Sequence, residues 1–158
     1  MRFRDFLIFA GVCLIWAANL VVSRALFSMY AIAPIFYAAA RFAMVAVILS
    51  PLLRPLPKPL LPVIVIGALM GAFHFGLMFL ALNAASTTSV SIVLQLSIPL
   101  TAILSVLILG EQVGWRRSAG IALAFTGVMI VMWEPSGQSI TFGLIFAFAS
   151  AASLALGS

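Results

Sequence analysis

Ser86-Thr87-Thr88-Ser89-Val90-Ser91-Ile92-Val93-Leu94-Gln95-Leu96-Ser97-Ile98-Pro99-Leu100, continuing from Thr101 to Leu109 and stopping at Gly110-Glu111, is the stretch that decides the fold. No residue from Ser86 to Leu109 is charged. A helix of that length, rising about 1.5 Å per residue, exceeds the roughly 30 Å hydrocarbon core of a bilayer. It predicts a membrane span. Pro99 lacks an N–H, so the Gln95 carbonyl four residues earlier loses its helical partner and is crowded by the ring. That carbonyl and the Gln95 amide then share the middle of the membrane, where polar groups persist only if neighbouring helices, side chains or water satisfy them. The face bearing Gln95 is therefore expected to turn inward, with Pro99 as a hinge.

The rest of the chain has the same character. Of its 158 residues, 65% are hydrophobic and 7% charged, and the mean hydropathy is +1.31. A soluble domain is nearer one half apolar, so the composition predicts an integral membrane protein with the lipid bilayer as its solvent. Eight Lys and Arg against three Asp and Glu give a net charge of +5. These cations are scattered between apolar runs rather than gathered on one face, which argues against a nucleic-acid partner. Cys13 is the sole cysteine, so neither a disulfide framework nor a metal-ligand cluster is expected, and no cofactor is implied. Arg2 and Arg4 before an apolar stretch resemble a secretory signal, but the stretch runs on to about Phe27, the length of a span.

Apolar runs fall at about 6–27, 34–53, 60–82, 86–109, 115–133 and 140–158. This predicts an all-α membrane protein, an antiparallel bundle of about six transmembrane helices. Arg2 and Arg4, Arg54 and Lys58, and Arg116 and Arg117 lie on one side of it, while the opposite linkers contain no Lys or Arg. The positive-inside rule then puts the amino terminus in the cytoplasm. Gly67-x-x-x-Gly71 and Gly120-x-x-x-Ala124 have the small-residue spacing of close helix packing. The sixth run reaches Ser158 with no flanking charge or aromatic anchor, so the chain is expected to be incomplete, stopping near the end of its sixth helix.

Counted inward from the outer ends of the spans, Asn19, Arg41, His74 and Gln95 all fall roughly 10 to 14 Å below the surface, near the midplane. An arginine in a span costs about 2.5 to 3.5 kcal/mol on insertion scales and faces a partner or a wet cavity. Arg41, Asn19 and Gln95 are the candidate substrate contacts. Trp16 joins them because it shares the face of Asn19, and His74 is a further candidate. Each has a plainer reading as an interhelical hydrogen-bonding residue, and Arg24, near an outer end, reads as an interfacial anchor. Asp5, Glu111 and Glu134 all lie at membrane ends, so no buried acid is available to couple protons to a cationic substrate. A fixed cation at the midplane favours an anionic group, such as the carboxylate of an amino acid. With no Gly-x-Ser-x-Gly elbow, no intramembrane aspartate pair and no His-Glu-x-x-His, an enzyme is not expected.

Trp16-Ala17-Ala18-Asn19-Leu20-Val21-Val22-Ser23-Arg24 resembles the Trp-Gly-x-Asn-Phe-Val-x-x-Lys pattern of the EamA family in the drug/metabolite transporter superfamily. Pro34 to Phe42, Ala81-Leu82, Ala85-Ser86, Leu94 to Pro99, Leu109-Gly110-Glu111 and Gly120 to Gly127 extend the resemblance. Ala17 and Arg24 replace the glycine and lysine of that pattern. The resemblance implies two inverted five-helix repeats around a central substrate cavity. Residues 1–137 would be one repeat and 138–158 the start of the second, with the rest of that second repeat as a missing partner. It implies an inner-membrane small-molecule transporter, for a metabolite, amino acid or drug, most simply an exporter working by alternating access. The rival expectation is a non-transporting membrane scaffold or assembly subunit in which the polar layer only holds helices together.

Overall fold

A computed structural model describes residues 3–53, 58–110, 114–132 and 142–158. Helices form over every apolar run, and no strand occurs among the described residues. They are α1 (Phe3–Tyr30), α2 (Pro34–Leu49), α3 (Leu60–Gly67), α4 (His74–Ala84), α5 (Thr87–Leu94), α6 (Ser97–Leu109), α7 (Trp115–Met132) and α8 (Phe142–Gly157). A π-helical turn, Ala68–Phe73, joins α3 to α4, so Leu60–Ala84 is one continuous rod. Four rods are long and apolar enough to cross a bilayer: Phe3–Tyr30, Pro34–Leu52, Leu60–Ala84 and Thr87–Ile108. α8 is a shorter apolar helix, and α7 begins with Trp115-Arg116-Arg117. Arg2, Arg54, Glu111, Glu134 and the boundary expected at 137–138 lie outside the described residues.

Local chemistry sets the helix ends. α1 gives way to α2 at Ala31, which takes a left-handed φ of 51°, and Pro34 then occupies the first turn of α2, where its missing N–H costs nothing. The Ser86 hydroxyl accepts the Ser89 N–H at 3.1 Å, capping α5. α6 stops at Gly110, whose φ of +67° suits a residue without a Cβ, and its N–H closes on the Val106 carbonyl at 3.1 Å.

The break between α5 and α6 follows from Pro99. Lacking the residue-99 donor, the Gln95 carbonyl accepts the Ile98 N–H instead, at 3.3 Å. Gln95 N–H and Leu96 N–H likewise reach back three residues, to Ile92 and Val93. The freed carbonyl expected at mid-span is thus taken by a tighter turn of the same helix.

α4 is the axis of the bundle. It packs on α1, α2, α5 and, most extensively, α8, while α8 also lies along α5 and α6. Met78, Phe79, Ala81 and Leu82 of α4 are completely buried, as are Val90 and Val93 of α5 and Ala147 and Ala151 of α8. Most other large apolar side chains, from Phe6 and Leu7 to Ile130 and Leu156, point outward, as lipid demands and water would not permit.

The close approaches are not where spacing placed them. A Cβ built on Gly67, Gly71 or Gly120 would meet nothing within 4 Å. Ala124 is exposed, so neither small-residue motif packs against a helix among the described residues. Instead Gly67, Gly71, Ala72 and Gly76 line an apolar hollow of about 490 Å³ facing Ile35, Ala38, Ala39 and Phe42 of α2. The tight glycines belong to α8. At Gly143 an added Cβ would sit 2.7 Å from Ala85 Cβ, and at Gly157 it would sit 2.5 Å from Met70 Cγ. Lipid offers no hydrophobic drive between helices, so such van der Waals fits and hydroxyl-to-carbonyl bonds carry the association.

Near the outer end of α1, Arg24 reaches the end of α4: its Nη1 donates to the carbonyls of Leu82 and Asn83, the latter at 2.8 Å. These are among the last, unpaired carbonyls of α4, at the negative end of its dipole. Arg24→Ala removes both bonds and the charge. The expected result is a loss of about 1–2 kcal/mol, read as a lower melting temperature in detergent with insertion unchanged. An unchanged melting temperature would show that these carbonyls find other donors.

Candidate functional site

The polar layer comes from α1, α2, α4 and the α5–α6 junction, and the structure brings only Asn19 and Arg41 of it together. α1 brings Trp16 and Asn19 one turn apart, and α2 brings Arg41 and Phe42. α4 begins with His74-Phe75. Arg41 Nη1 donates to Asn19 Oδ1 at 2.7 Å, so α1 and α2 meet at one level inside the bundle. The Arg41 guanidinium carbon lies 5.5 Å from the centre of the Phe75 ring, within cation–π reach. Phe75 is the common floor: Trp16, Phe42 and His74 each meet its ring edge-on, at 6.1, 5.4 and 4.9 Å between centres. One turn on, Phe79 closes a second aromatic cluster with Phe27 and Tyr37, at 5.8 and 5.0 Å.

The pairing with Arg41 fixes the Asn19 amide. A guanidinium only donates, so the amide oxygen must face it and Nδ2 must face away. Asn19 Nδ2 is buried and has no hydrogen-bond partner among the described residues. A buried amide N–H left unmade costs about 1–3 kcal/mol. The amide nitrogen of Asn19 and the guanidinium of Arg41 can only donate. The cluster so formed offers donors, one positive charge and aromatic faces. Chemically it suits an acceptor that is anionic and planar, such as a carboxylate.

His74 turns to the other side. Its Nδ1 lies 2.9 Å from Ser150 Oγ and 3.1 Å from the Ser150 carbonyl, on α8. Ser150 Oγ donates to the His74 carbonyl at 2.8 Å. That uses the single hydroxyl proton, so Nδ1 is the protonated nitrogen. His74 follows Gly71 by three residues, which in an α-helix would put the two on one face, but the π turn separates them. More residues per turn than 3.6 carry Gly71 towards α2 while His74 comes round to α8. Gln95 is exposed, and nothing links it to the Arg41 and Asn19 pair. Ser23, placed on the Asn19 face by spacing, donates to the Asn19 carbonyl at 2.7 Å. Phe75, Ser150 and the orphan amide nitrogen went unread in the sequence. An aromatic residue in an apolar run carries no polarity signal, and partners distant along the chain leave none.

Buried donors, a cation in mid-bundle and a lipid-facing apolar surface define a multi-pass, all-α membrane protein with a polar interior. Residues 4–133 match the model of the EamA-like transporter family, and the chain belongs to that family. It is similar to a probable amino-acid metabolite efflux pump of Escherichia coli (strain K12), 28% identical over 152 residues. The match covers 92% of this chain and 49% of that relative, so the chain spans about half the length of the protein it resembles. No solved structure matches.

Proposed function

We infer that this chain forms one half of an inner-membrane exporter for small metabolites that carry a carboxylate, amino acids foremost, and that it works by alternating access. The observation that carries this reading is the Asn19–Arg41 pair, bonded at 2.7 Å with Asn19 Nδ2 buried and unpartnered beside it. Membership of a transporter family and the likeness to an amino-acid metabolite efflux pump support it. Arg41 draws the anionic group, Asn19 Nδ2 donates to it, and Trp16 with Phe75 walls the apolar part of the substrate. The interruption at Gln95–Leu96 before Pro99 lets the ends of α5–α6 tilt separately, which is the hinge such a cycle needs. Gln95 is an outlying candidate in this reading, and His74 reaches the cluster only through the edge of Phe75 while its Nδ1 turns to Ser150. Residues 138–158 begin the second, inverted repeat, and the amino terminus is cytoplasmic, on the side where Arg4, Lys58, Arg116 and Arg117 gather. The scaffold alternative draws on His74, whose ring is committed to Ser150. The test is release of radiolabelled amino acids, against an amphipathic cation, from vesicles holding the full protein. Release of amino acids alone is expected. Release of the cation alone, or of neither class, would overturn the reading.

A further inference from the structure

Two serines of α8 converge on the π turn that no local signal in the sequence announces. Ser153 Oγ donates to the Leu69 carbonyl at 2.9 Å. This carbonyl also receives the His74 N–H from five residues on, the bond that defines a π turn. Ser150 holds the other end of the turn through the His74 carbonyl and Nδ1, at 2.8 and 2.9 Å. Gly157 lets α8 press against Leu69 and Met70 between them. All three contacts fall on Leu69 to His74, and both serines are buried.

The residue after His74 is Phe75, about 100° further round the helix. His74 therefore faces α8 while Phe75 faces Arg41, Trp16 and Phe42. The angle at which α4 leaves the π turn sets both. Relaxation to α-helical bonding changes the number of residues per turn, and each residue of slip rotates α4 by about 100° against α3. Such a rotation withdraws the Phe75 ring from beneath the guanidinium.

We propose that Ser150 and Ser153 are positioning residues: by holding the π turn of α3–α4 they fix where Phe75 stands under Arg41, coupling the place of α8 to the shape of the α1–α2 site. What the coupling serves rests on reading that site as an anion seat, but its existence is testable without any ligand. Trp16 packs edge-on to Phe75 and reports on it. With Trp115, Trp133 and any tryptophan of the protein beyond residue 158 replaced by Phe, Trp16 is the reporter, and its emission is read in phosphatidylethanolamine and phosphatidylglycerol vesicles.

Ser150→Ala with Ser153→Ala is expected to raise the released population about tenfold, seen as a red shift of Trp16 emission and stronger acrylamide quenching at unchanged helical content. Ser153→Ala alone removes one hydroxyl, keeps the His74–Ser150 pair, and is expected to move both signals the same way by less. It decides the matter if the double variant does not fold. Trp16 signals identical to the parent in the folded variants would overturn the coupling, because a purely local role for the serines leaves Trp16 untouched. A shifted Trp16 together with unimpaired transport by Arg41→Ala would leave the coupling standing and remove the anion seat.

Discussion

Arg41→Ala in the full protein is expected to lower amino-acid release from vesicles by about tenfold to a hundredfold while the protein still inserts and accumulates. The range follows from losing one or two hydrogen bonds to a charged group, each worth about 1.5–3 kcal/mol. The substitution also strands Asn19 Oδ1, which accepts from Arg41 at 2.7 Å, and takes the cation from the face of Phe75. Arg41→Lys is expected to restore little. An ammonium is a compact donor on a flexible stem, and it does not combine a flat stacked face with a fork of N–H groups. Immunoblots of membrane fractions alongside the transport assay separate the two explanations. Folded protein and transport falling in step would make Arg41 a structural residue and nothing more.

Gly143→Leu is expected to give the largest loss of folded protein, because it strikes α8 where backbone meets backbone. An added Cβ there would lie 2.7 Å from Ala85 Cβ, 3.0 Å from Ala85 N and 3.1 Å from Ala84 C. The neighbours are main chain and an alanine Cβ at the α4–α5 junction, none of which can swing aside. Even Gly143→Ala sets a helix-propensity gain of about 1 kcal/mol against an overpacking cost of roughly 1–3 kcal/mol, and the cost wins. Leucine lies at or beyond the top of that roughly 1–3 kcal/mol range, since α8 must lift off α4 to admit it. Gly120→Leu is the control: nothing stands within 4 Å of that position, and an unchanged melting temperature is expected. Equal stability of the two leucine variants, compared by thermal unfolding in detergent, would contradict the docking of α8.

The helices were legible because each apolar run carries its own boundary chemistry: Pro34 opens α2, Ser86 caps α5, Gly110 ends α6. The meeting of Asn19 with Arg41 was legible as shared depth, since an arginine in lipid must find company. Glycine spacing misled, because Gly67 and Gly71 mark a place where helices stand apart. Gly143 and Gly157, which do touch neighbours, stand in the same spacing on α8, as Gly143-x-x-x-Ala147-x-x-x-Ala151 and Ser153-x-x-x-Gly157, and spacing alone does not say which such series is packed. The π turn went unread because its bonds are chosen by α8, over seventy positions away along the chain, as the His74–Ser150 separation of 76 shows. What local periodicity encodes was readable. What a distant helix imposes was not.

Ala38 is the one buried side chain that α2 contributes. A segment gripped so shallowly is cheap to dislodge, since few favourable contacts are forfeited when it swings out. Opening of the bundle should therefore begin with α2 swinging away from the α4 rings, carrying Arg41 with it, while α4 and α8 stay joined. Backbone amides at 34–49 should accordingly exchange with solvent deuterium sooner than those at 74–84.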